Sequence, residues 1–343
     1  MFQNPIETRG KPSISPAKEA LNSLERAALT TPELSERGEL IDVAHSVVLN
    51  NRGGLDDLLE FGSEGLKKRA LLDLVVLQRA IEVGSGSPPE PLKDAISDFA
   101  RDLRMVPALN YELIILANPP DAVRTFTAGA TGEVERSFYL GHQEIEARFE
   151  ELCLTLTRAR DLLEGGNKRG GLLLVEHGRD ILAEATREFH ERFAAMSPEA
   201  FNNFRIFLTG AQGYEGPSGL HSATVHASRF LIFGDALNFR ADFIERHRPY
   251  YPTCHAEILE EGLNAVRDGR ALVDLARASS DPEVRRGVGE LAEEMRLHTT
   301  KHFAVVKRML SDLSGLGTGG QPMGAFLRQA VDKMKEVSDE LVR

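Results

Sequence analysis

The 343-residue sequence predicts an all-α fold, a multi-helix bundle. Apolar residues recur at three- and four-residue steps through most of the chain, which is the period of an amphipathic helix. The alternation of apolar and polar residues that is typical of a strand is almost absent. Segments rich in glycine and proline separate the periodic stretches, as turns between helices do. A chain of this length can also bury a core large enough to enclose a cofactor.

The N-terminal part of the chain is expected to contain two regions. Residues 1–16 are rich in proline and predict a loose arm, and residues 17–109 predict an N-terminal helical region without a catalytic motif. The glycines and prolines of segment 84–89 are expected to end one of its helices. The helices predicted in this region lie at about 17–29, 32–50, 62–83 and 90–106.

Residues 110–343 are expected to form the domain that carries the functional site. After a loop at Asn118-Pro119-Pro120, apolar periodicity predicts helices at about 133–164, 171–195, 198–210, 221–245 and 253–278. Asp281 and Pro282 are a typical N-cap and first helical residue of the next helix, and Gly315 stands where that helix should end. A last amphipathic helix is predicted at about 322–342.

Composition excludes several classes of function. The 41 Lys and Arg residues against 52 Asp and Glu residues give a formal charge of -11, which disfavours binding to a nucleic-acid backbone. Cys153 and Cys254 are far apart and form no CxxC pair, as is usual in a reducing compartment. The N-terminus does not resemble a signal peptide, and the longest apolar stretches are too short for a membrane span. We therefore expect a cytoplasmic protein without nucleic-acid or membrane partners.

His302 is the first candidate for chemistry. It lies on the apolar face of the penultimate helix, where a polar side chain needs a partner. One nitrogen of a neutral imidazole can bind a metal, and many haem proteins present such a ligand from a helix. The same pattern also fits a buried histidine that is satisfied by a backbone carbonyl.

His298 lies one helical turn before His302, and a histidine pair with this spacing can bind zinc. The three residues between them are Thr299, Thr300 and Lys301, so the glutamate base of the helical HExxH zinc site is missing. Zinc is therefore the weaker interpretation, and His298 is expected to pack beside the cofactor.

Three further segments contain candidate site residues. The turn Gly317-Thr318-Gly319-Gly320 can approach a ligand closely, or it can be a flexible turn between helices. His142 follows Phe138 by one helical turn on the seam of a long helix, where a core histidine is the alternative. Arg205 stands among aromatic residues and can bind a carboxylate with both of its nitrogens, or extend to solvent.

These four segments together resemble the tryptophan 2,3-dioxygenase and indoleamine 2,3-dioxygenase superfamily. Residues 301–309, followed by the segment 317–320, are similar to the family's proximal histidine helix and substrate-closing GTGG loop. The resemblance implies a haem b cofactor enclosed by the bundle, with His302 as its axial iron ligand. It also implies that Thr318 lies near the substrate, and that the residues around the haem include Ser222, Gly317, Gly319 and Gly320.

The distal side of the site is implied by two other segments. Residues 138–146 resemble the family's distal helix, which implies that His142 bonds to the indole N–H and that Phe138 forms a pocket wall. Residues 196–205 resemble the segment with the carboxylate-binding arginine, which implies that Arg205 binds the substrate and that Phe201 packs on its ring. The resemblance covers the chain from about residue 110 to the C-terminus.

Departures from the dioxygenase pattern affect the expected reaction. Segments 118–127 and 213–217 are more similar to the branch that contains monodechloroaminopyrrolnitrin synthase, which rearranges chlorotryptophan and makes no N-formylkynurenine. Segment 217–222 also differs from the small-residue segment of the dioxygenases. The resemblance thus implies an enzyme of secondary metabolism that uses O2 to oxidise the indole C2–C3 bond of tryptophan, or of a methylated or halogenated tryptophan.

Two alternatives remain at this point. One is a ring-cleaving tryptophan or indoleamine dioxygenase, and the other is a haem sensor or carrier that needs His302 but no substrate clamp such as Arg205. Under either enzyme hypothesis the ligand is a small aromatic amino acid. A homo-oligomer, either a dimer or a tetramer, is also expected.

Overall fold

The computed structural model describes residues 15–84, 86–237, 241–310 and 323–342. Within these ranges the chain is all-α, as predicted: fifteen α-helices are joined by short turns and single 3-10 or π turns, and no strand is present. The chain divides into two compact units, Met1–Arg104 and Met105–Arg343. The predicted GTGG loop at 317–320 and most of the predicted N-terminal arm lie outside the described residues.

In the described residues of the first unit, five helices pack around a central one. The central helix is buried almost throughout from Ala70 to Ile81. The helices are α1 (Ser15–Leu29), α2 (Thr31–Arg37), α3 (Leu40–Asn50), α4 (Arg52–Phe61), α5 (Glu64–Val83, the central helix) and α6 (Glu90–Leu103).

Two features of the first unit differ from the sequence prediction. The single helix predicted at 32–50 is two helices, because Gly38 has a φ of 72° and ends α2 in the left-handed conformation. Helix α4 was not predicted, since it begins Arg-Gly-Gly. A Cβ on Gly54 would lie 2.4 Å from the Pro16 carbonyl oxygen, so the glycine lets α4 pack closely against the start of α1.

The second unit is built on three long helices. Helix α7 packs along α8, and α14 packs against α8 and α15, while α10 packs against α7 and α12. The helices of this unit are α7 (Gly129–Glu164), α8 (Lys168–Ala194), α9 (Pro198–Arg205), α10 (Ala223–Phe233), α11 (Ala241–His247), α12 (Ala256–Arg267), α13 (Leu272–Ala278), α14 (Pro282–Met309) and α15 (Met323–Val342).

Several predicted helices of the second unit are shorter in the structure. The helix predicted at 221–245 ends at Phe233, because Gly234 has a φ of 57°. The helix predicted at 253–278 is interrupted by Gly269, whose φ is 61°, and so becomes α12 and α13. Both residues adopt a conformation that glycine takes at low cost and that ends a helix.

The ends of the penultimate helix were predicted with mixed success. Asp281 caps α14 as predicted, since its carboxylate accepts a hydrogen bond of 3.0 Å from the backbone N–H of Glu283. The C-terminal end comes earlier than predicted, at Met309, and Leu310 is already extended. Among the described helices, none combines the length and the apolar composition needed to cross a bilayer.

Candidate active site

A cavity of about 190 Å³ lies between α7, α8, α9, α10 and α14. A buried water needs on the order of 10–15 Å³ of such space, so this cavity has the size of a ligand site rather than of a structural water. Its wall is mainly aromatic and aliphatic. Every predicted site residue that the structure describes lines it, namely Phe138, His142, Phe201, Arg205, Ser222 and His302. Thr318, Gly317, Gly319 and Gly320 fall outside the described residues.

His302 enters the cavity from α14. Removal from bulk water lowers the pKa of its imidazole to about 4, with a smaller contribution from the positive charge of Arg229, so the ring is neutral at pH 7. Its ring centroid lies 5.4 Å from that of Phe189. Neither ring nitrogen makes a hydrogen bond to a described residue, so no backbone carbonyl in this part of the chain satisfies it. A neutral imidazole with a free lone pair is the form that binds a metal.

His298, one turn earlier on α14, is held differently. Its Nδ1 lies 3.2 Å from the Thr186 hydroxyl, which itself donates to the Leu182 carbonyl and therefore accepts from the histidine. Burial lowers the pKa of His298 to about 3. Among the described residues, no group of three or more His, Cys, Asp or Glu side chains is arranged to hold a metal ion, so the zinc interpretation finds no third ligand here.

His142 enters the cavity from α7 with a defined orientation. Its Nδ1 lies 2.8 Å from the carbonyl oxygen of Phe138, one turn earlier, so Nδ1 carries the proton and donates it. Burial lowers the pKa of His142 to about 4, although the bond to Phe138 opposes that shift. The neutral ring therefore presents Nε2 as a hydrogen-bond acceptor.

Phenylalanine rings connect the walls near the two histidines. The Phe193 ring lies 4.9 Å from the His142 ring and 4.7 Å from Phe189, which in turn contacts His302. The ring centroid of Phe138 lies 5.6 Å from that of Phe201, and the two rings complete the wall toward α9. These contacts make the wall near the two imidazoles largely aromatic.

A glycine permits the close contact between α7 and α8. A Cβ on Gly141 would lie 2.4 Å from Arg192 Cδ and 2.9 Å from Phe193 Cζ. Any larger residue would thus displace the Phe193 ring, which packs on His142. The Phe189 and Phe193 walls were not predicted as site residues, because phenylalanines on an apolar helix face give the same sequence pattern in a core as beside a cavity.

The first turns of α7 are fixed by a buried carboxylate. Glu135 accepts hydrogen bonds from the backbone N–H groups of Phe126 and Thr127, at 2.9 and 3.0 Å, and from the hydroxyls of Thr127 and Tyr139, both at 2.7 Å. Burial raises the pKa of Glu135 to about 7, although all four donors oppose the shift. The same loop is held by Phe126, which stacks on Phe207 at 4.7 Å.

The ends of α8, α9 and α14 meet beside the cavity. The Arg308 guanidinium donates to the carbonyls of Phe193 and Met196, at 2.7 and 3.0 Å, and to that of Ala194. A cation at the C-terminal end of a helix satisfies free carbonyls and stabilises the helix dipole. The Asn202 amide of α9 donates to the Met309 carbonyl at 3.2 Å. These bonds fix the position of α14 relative to α8 and α9.

Arg205 and Ser222 are the remaining predicted site residues. Arg205 is the last residue of α9 and is half-buried, and burial lowers the pKa of its guanidinium. Ser222 is the N-cap of α10, where its hydroxyl accepts from the backbone N–H of Val225 at 3.2 Å. Both side chains thus reach the cavity from helix ends.

A glutamate and an arginine of the cavity were not predicted as site residues. The first is Glu146, which is 3% exposed and accepts hydrogen bonds of 2.7 Å from Tyr111 and from Thr224. It follows His142 by four residues on α7, so its place on the same helix face was visible in the sequence.

The second is Arg229, in the middle of α10 and 7% exposed. Its guanidinium makes one long hydrogen bond, 3.4 Å, to the Thr299 hydroxyl, and its Nε has no partner. Burial lowers the pKa of Arg229 to about 10, so it stays charged at pH 7. The signal in the sequence was an arginine directly before the apolar run from Phe230 to Phe233.

Comparison with protein-family models gives no family that matches the chain, and a search of curated proteins gives no match either.

Proposed function

We propose that this protein is a haem-dependent oxygenase that uses O2 to oxidise the indole C2–C3 bond of tryptophan, or of a methylated or halogenated tryptophan. The observation that carries the proposal is the pairing of two neutral imidazoles across one mainly apolar cavity, one without a hydrogen bond to a described residue and the other with its Nε2 free to accept. The resemblance to the tryptophan and indoleamine dioxygenases gives this pairing its chemical meaning.

The residues present fit a haem b ligated by His302. Its imidazole is neutral and lacks a described hydrogen-bond partner, so its lone pair is available to iron. The neighbouring walls are phenylalanine rings and aliphatic side chains, which suit a porphyrin. When bound, the haem supplies the activation of O2, and the protein supplies placement and electrostatics.

The other predicted residues then act on the substrate. His142 accepts the indole N–H at Nε2 and so sets the orientation of the ring. Phe138 and Phe201 pack on the indole and keep water away from it. Arg205 binds the substrate carboxylate through two N–H donors, an interaction that is strong because both groups are charged.

The alternatives make different demands on these residues. A haem sensor or carrier needs His302 but has no use for Arg205 or for an acceptor at His142. Ring cleavage to N-formylkynurenine uses the same residues, and the departures in segments 118–127 and 213–222 make it the second choice. A small aromatic amino acid as ligand and a cytoplasmic location go with the proposal.

The test is reconstitution followed by product analysis. The protein is titrated with haem, reduced, and incubated with L-tryptophan, its methylated and halogenated analogues and ¹⁸O2. We expect a Soret band at one haem per chain and a product mass increased by one or two labelled oxygen atoms. One labelled atom indicates monooxygenation and two indicate dioxygenation. A protein that binds haem but leaves every indole unchanged would point to a carrier, and the absence of a Soret band would refute both haem functions.

A further inference from the structure

Arg229 is a buried cation that forms no ion pair with a carboxylate of the described residues. It is more than nine-tenths buried, it lines the cavity, and in the described part of the chain no Asp or Glu pairs with it. Its one hydrogen bond, to Thr299, is 3.4 Å long, although a guanidinium has five N–H donors. The Thr299 hydroxyl already donates to the Met295 carbonyl, so it serves Arg229 only as an acceptor.

Such an arrangement is unfavourable in the absence of a ligand. A buried charge costs free energy unless it is paired and hydrogen-bonded, and a buried donor without a partner costs more. The contrast within this protein is Arg160, which is similarly buried but pairs with Asp161 at 2.7 Å and Glu261 at 2.6 Å. The cavity therefore has a place for an anion beside Arg229.

The position of Arg229 indicates which anion. Its partner Thr299 lies on α14, three residues before His302, so the guanidinium is held against the helix that presents the imidazole. Its charge is near enough to lower the pKa of both His298 and His302. Arg205, in contrast, comes from the end of α9, one turn after Phe201. The two arginines thus approach the cavity from different helices.

We propose that Arg229 binds a propionate carboxylate of the haem that His302 ligates, an inference that rests on the proposed function. Haem b carries two propionates on one edge, and a guanidinium can take a carboxylate with two parallel N–H bonds. The amino-acid carboxylate is then left to Arg205. The same carboxylate chemistry is present in haem and in substrate, so the experiment must separate the two.

The test compares haem with its dimethyl ester, in which both propionates are neutral. Haem-free wild-type protein and Arg229→Met are titrated with each porphyrin, and binding is followed by the Soret band. We expect the wild type to bind haem roughly 10- to 100-fold more tightly than the diester, which corresponds to a charge-assisted hydrogen bond. Arg229→Met is expected to lose most of that ratio by weakening haem alone.

The thermal stability of the haem-free proteins distinguishes a ligand contact from a structural role. Arg229→Met removes an unpaired buried charge, so its melting temperature should equal or exceed that of the wild type. The matched control is Arg160→Met, which breaks two ion pairs. That variant should melt at a lower temperature and keep the wild-type preference for haem over the diester.

Four results would overturn the assignment. If Arg229→Met destabilises the haem-free protein and weakens both porphyrins equally, the residue is structural. If it keeps the preference for haem but no longer separates tryptophan from tryptamine in their effect on the Soret band, the guanidinium binds the substrate carboxylate. If the wild type binds neither porphyrin, the proposed haem function itself is wrong. If the wild type and Arg229→Met bind haem equally, only the role of Arg229 is contradicted.

Discussion

Replacing Glu135 with glutamine should remove a pH-dependent part of the stability of this protein. The carboxyl of Glu135 is fully buried and holds the loop at Phe126 and Thr127 on the first turns of α7. The glutamine amide resembles the protonated carboxyl, since it has one full acceptor oxygen and no charge. Glu135→Gln therefore imitates one of the two protonation states.

The size of the change in the free energy of unfolding follows from the pKa of the Glu135 carboxyl. Burial raises it from 4.5 to about 7, so between these values the folded protein binds a proton that the unfolded chain has released. Stability from this group is fully present below pH 4.5 and is lost as the pH rises through 7. A change of that size in pKa corresponds to about 3 kcal/mol.

The assay is urea unfolding at intervals from pH 4.5 to pH 8. The free energy of unfolding of the wild type, relative to that of Glu135→Gln, should fall by about 3 kcal/mol over this interval, because only the wild type must ionise a buried carboxyl. The matched control is Glu133→Gln on the exposed side of the same helix. Its profile should run parallel to that of the wild type.

A constant difference between the wild type and Glu135→Gln across the whole interval would refute the reasoning. The four donors around the carboxylate would then compensate fully for its burial.

Four other substitutions test the site. His302→Ala should abolish the Soret band on haem titration. The competing ligand is His255, a buried histidine directly before α12, and His255→Ala should keep the band; the reverse result would move the iron ligand to His255. Arg205→Met should lower kcat/KM for tryptophan by a factor that corresponds to about 2–4 kcal/mol of transition-state binding, and by a much smaller factor for an indole without a carboxylate; equal losses would exclude a carboxylate contact. His142→Ala should retain haem and O2 binding while turnover falls roughly 10- to 1000-fold, and an N-methylindole substrate should lose far less. If both substrates slow by the same factor, His142 does not accept the indole proton. Arg308→Ala should lower the free energy of unfolding by about 1.5–3 kcal/mol in urea, with partial recovery in Arg308→Lys; an unchanged midpoint would show that its bonds to the α8 carbonyls add nothing.

The fold could be predicted from the sequence because helical periodicity is a local property. The long helices α7, α8 and α14 begin and end within a few residues of their predicted bounds, apart from the C-terminal end of α14. The breaks at Gly38, Gly234 and Gly269 could not be placed, since a glycine that ends a helix and a glycine inside a helix cannot be distinguished in the sequence. Gly141 shows the difference: it lies inside α7, where contact with α8 requires it.

The candidate site was only partly visible in the sequence. His142 and His302 could be singled out because each is a polar residue on an apolar helix face, and the described part of the structure brings both to one cavity. Glu146 and Arg229 were missed because charged residues are usually at the surface, and their burial depends on which helices pack on them. The unpaired state of Arg229 is a property of the tertiary structure alone.

Because of the hydrogen bond from His142 to the Phe138 carbonyl, the direction of the acceptor nitrogen and the shape of the cavity are set by different helices. The direction of the acceptor nitrogen is set by α7 itself, since donor and carbonyl lie one turn apart on the same helix. The shape of the surrounding space is set by other helices, through Phe193 of α8 and Phe201 of α9. In the proposed oxygenase, substitutions on α8 and α9 would therefore change which groups on the indole the cavity admits. The hydrogen bond from the indole to His142 would stay the same, so the orientation of the ring would be kept. New substrates can then evolve without a change in how the indole is bound.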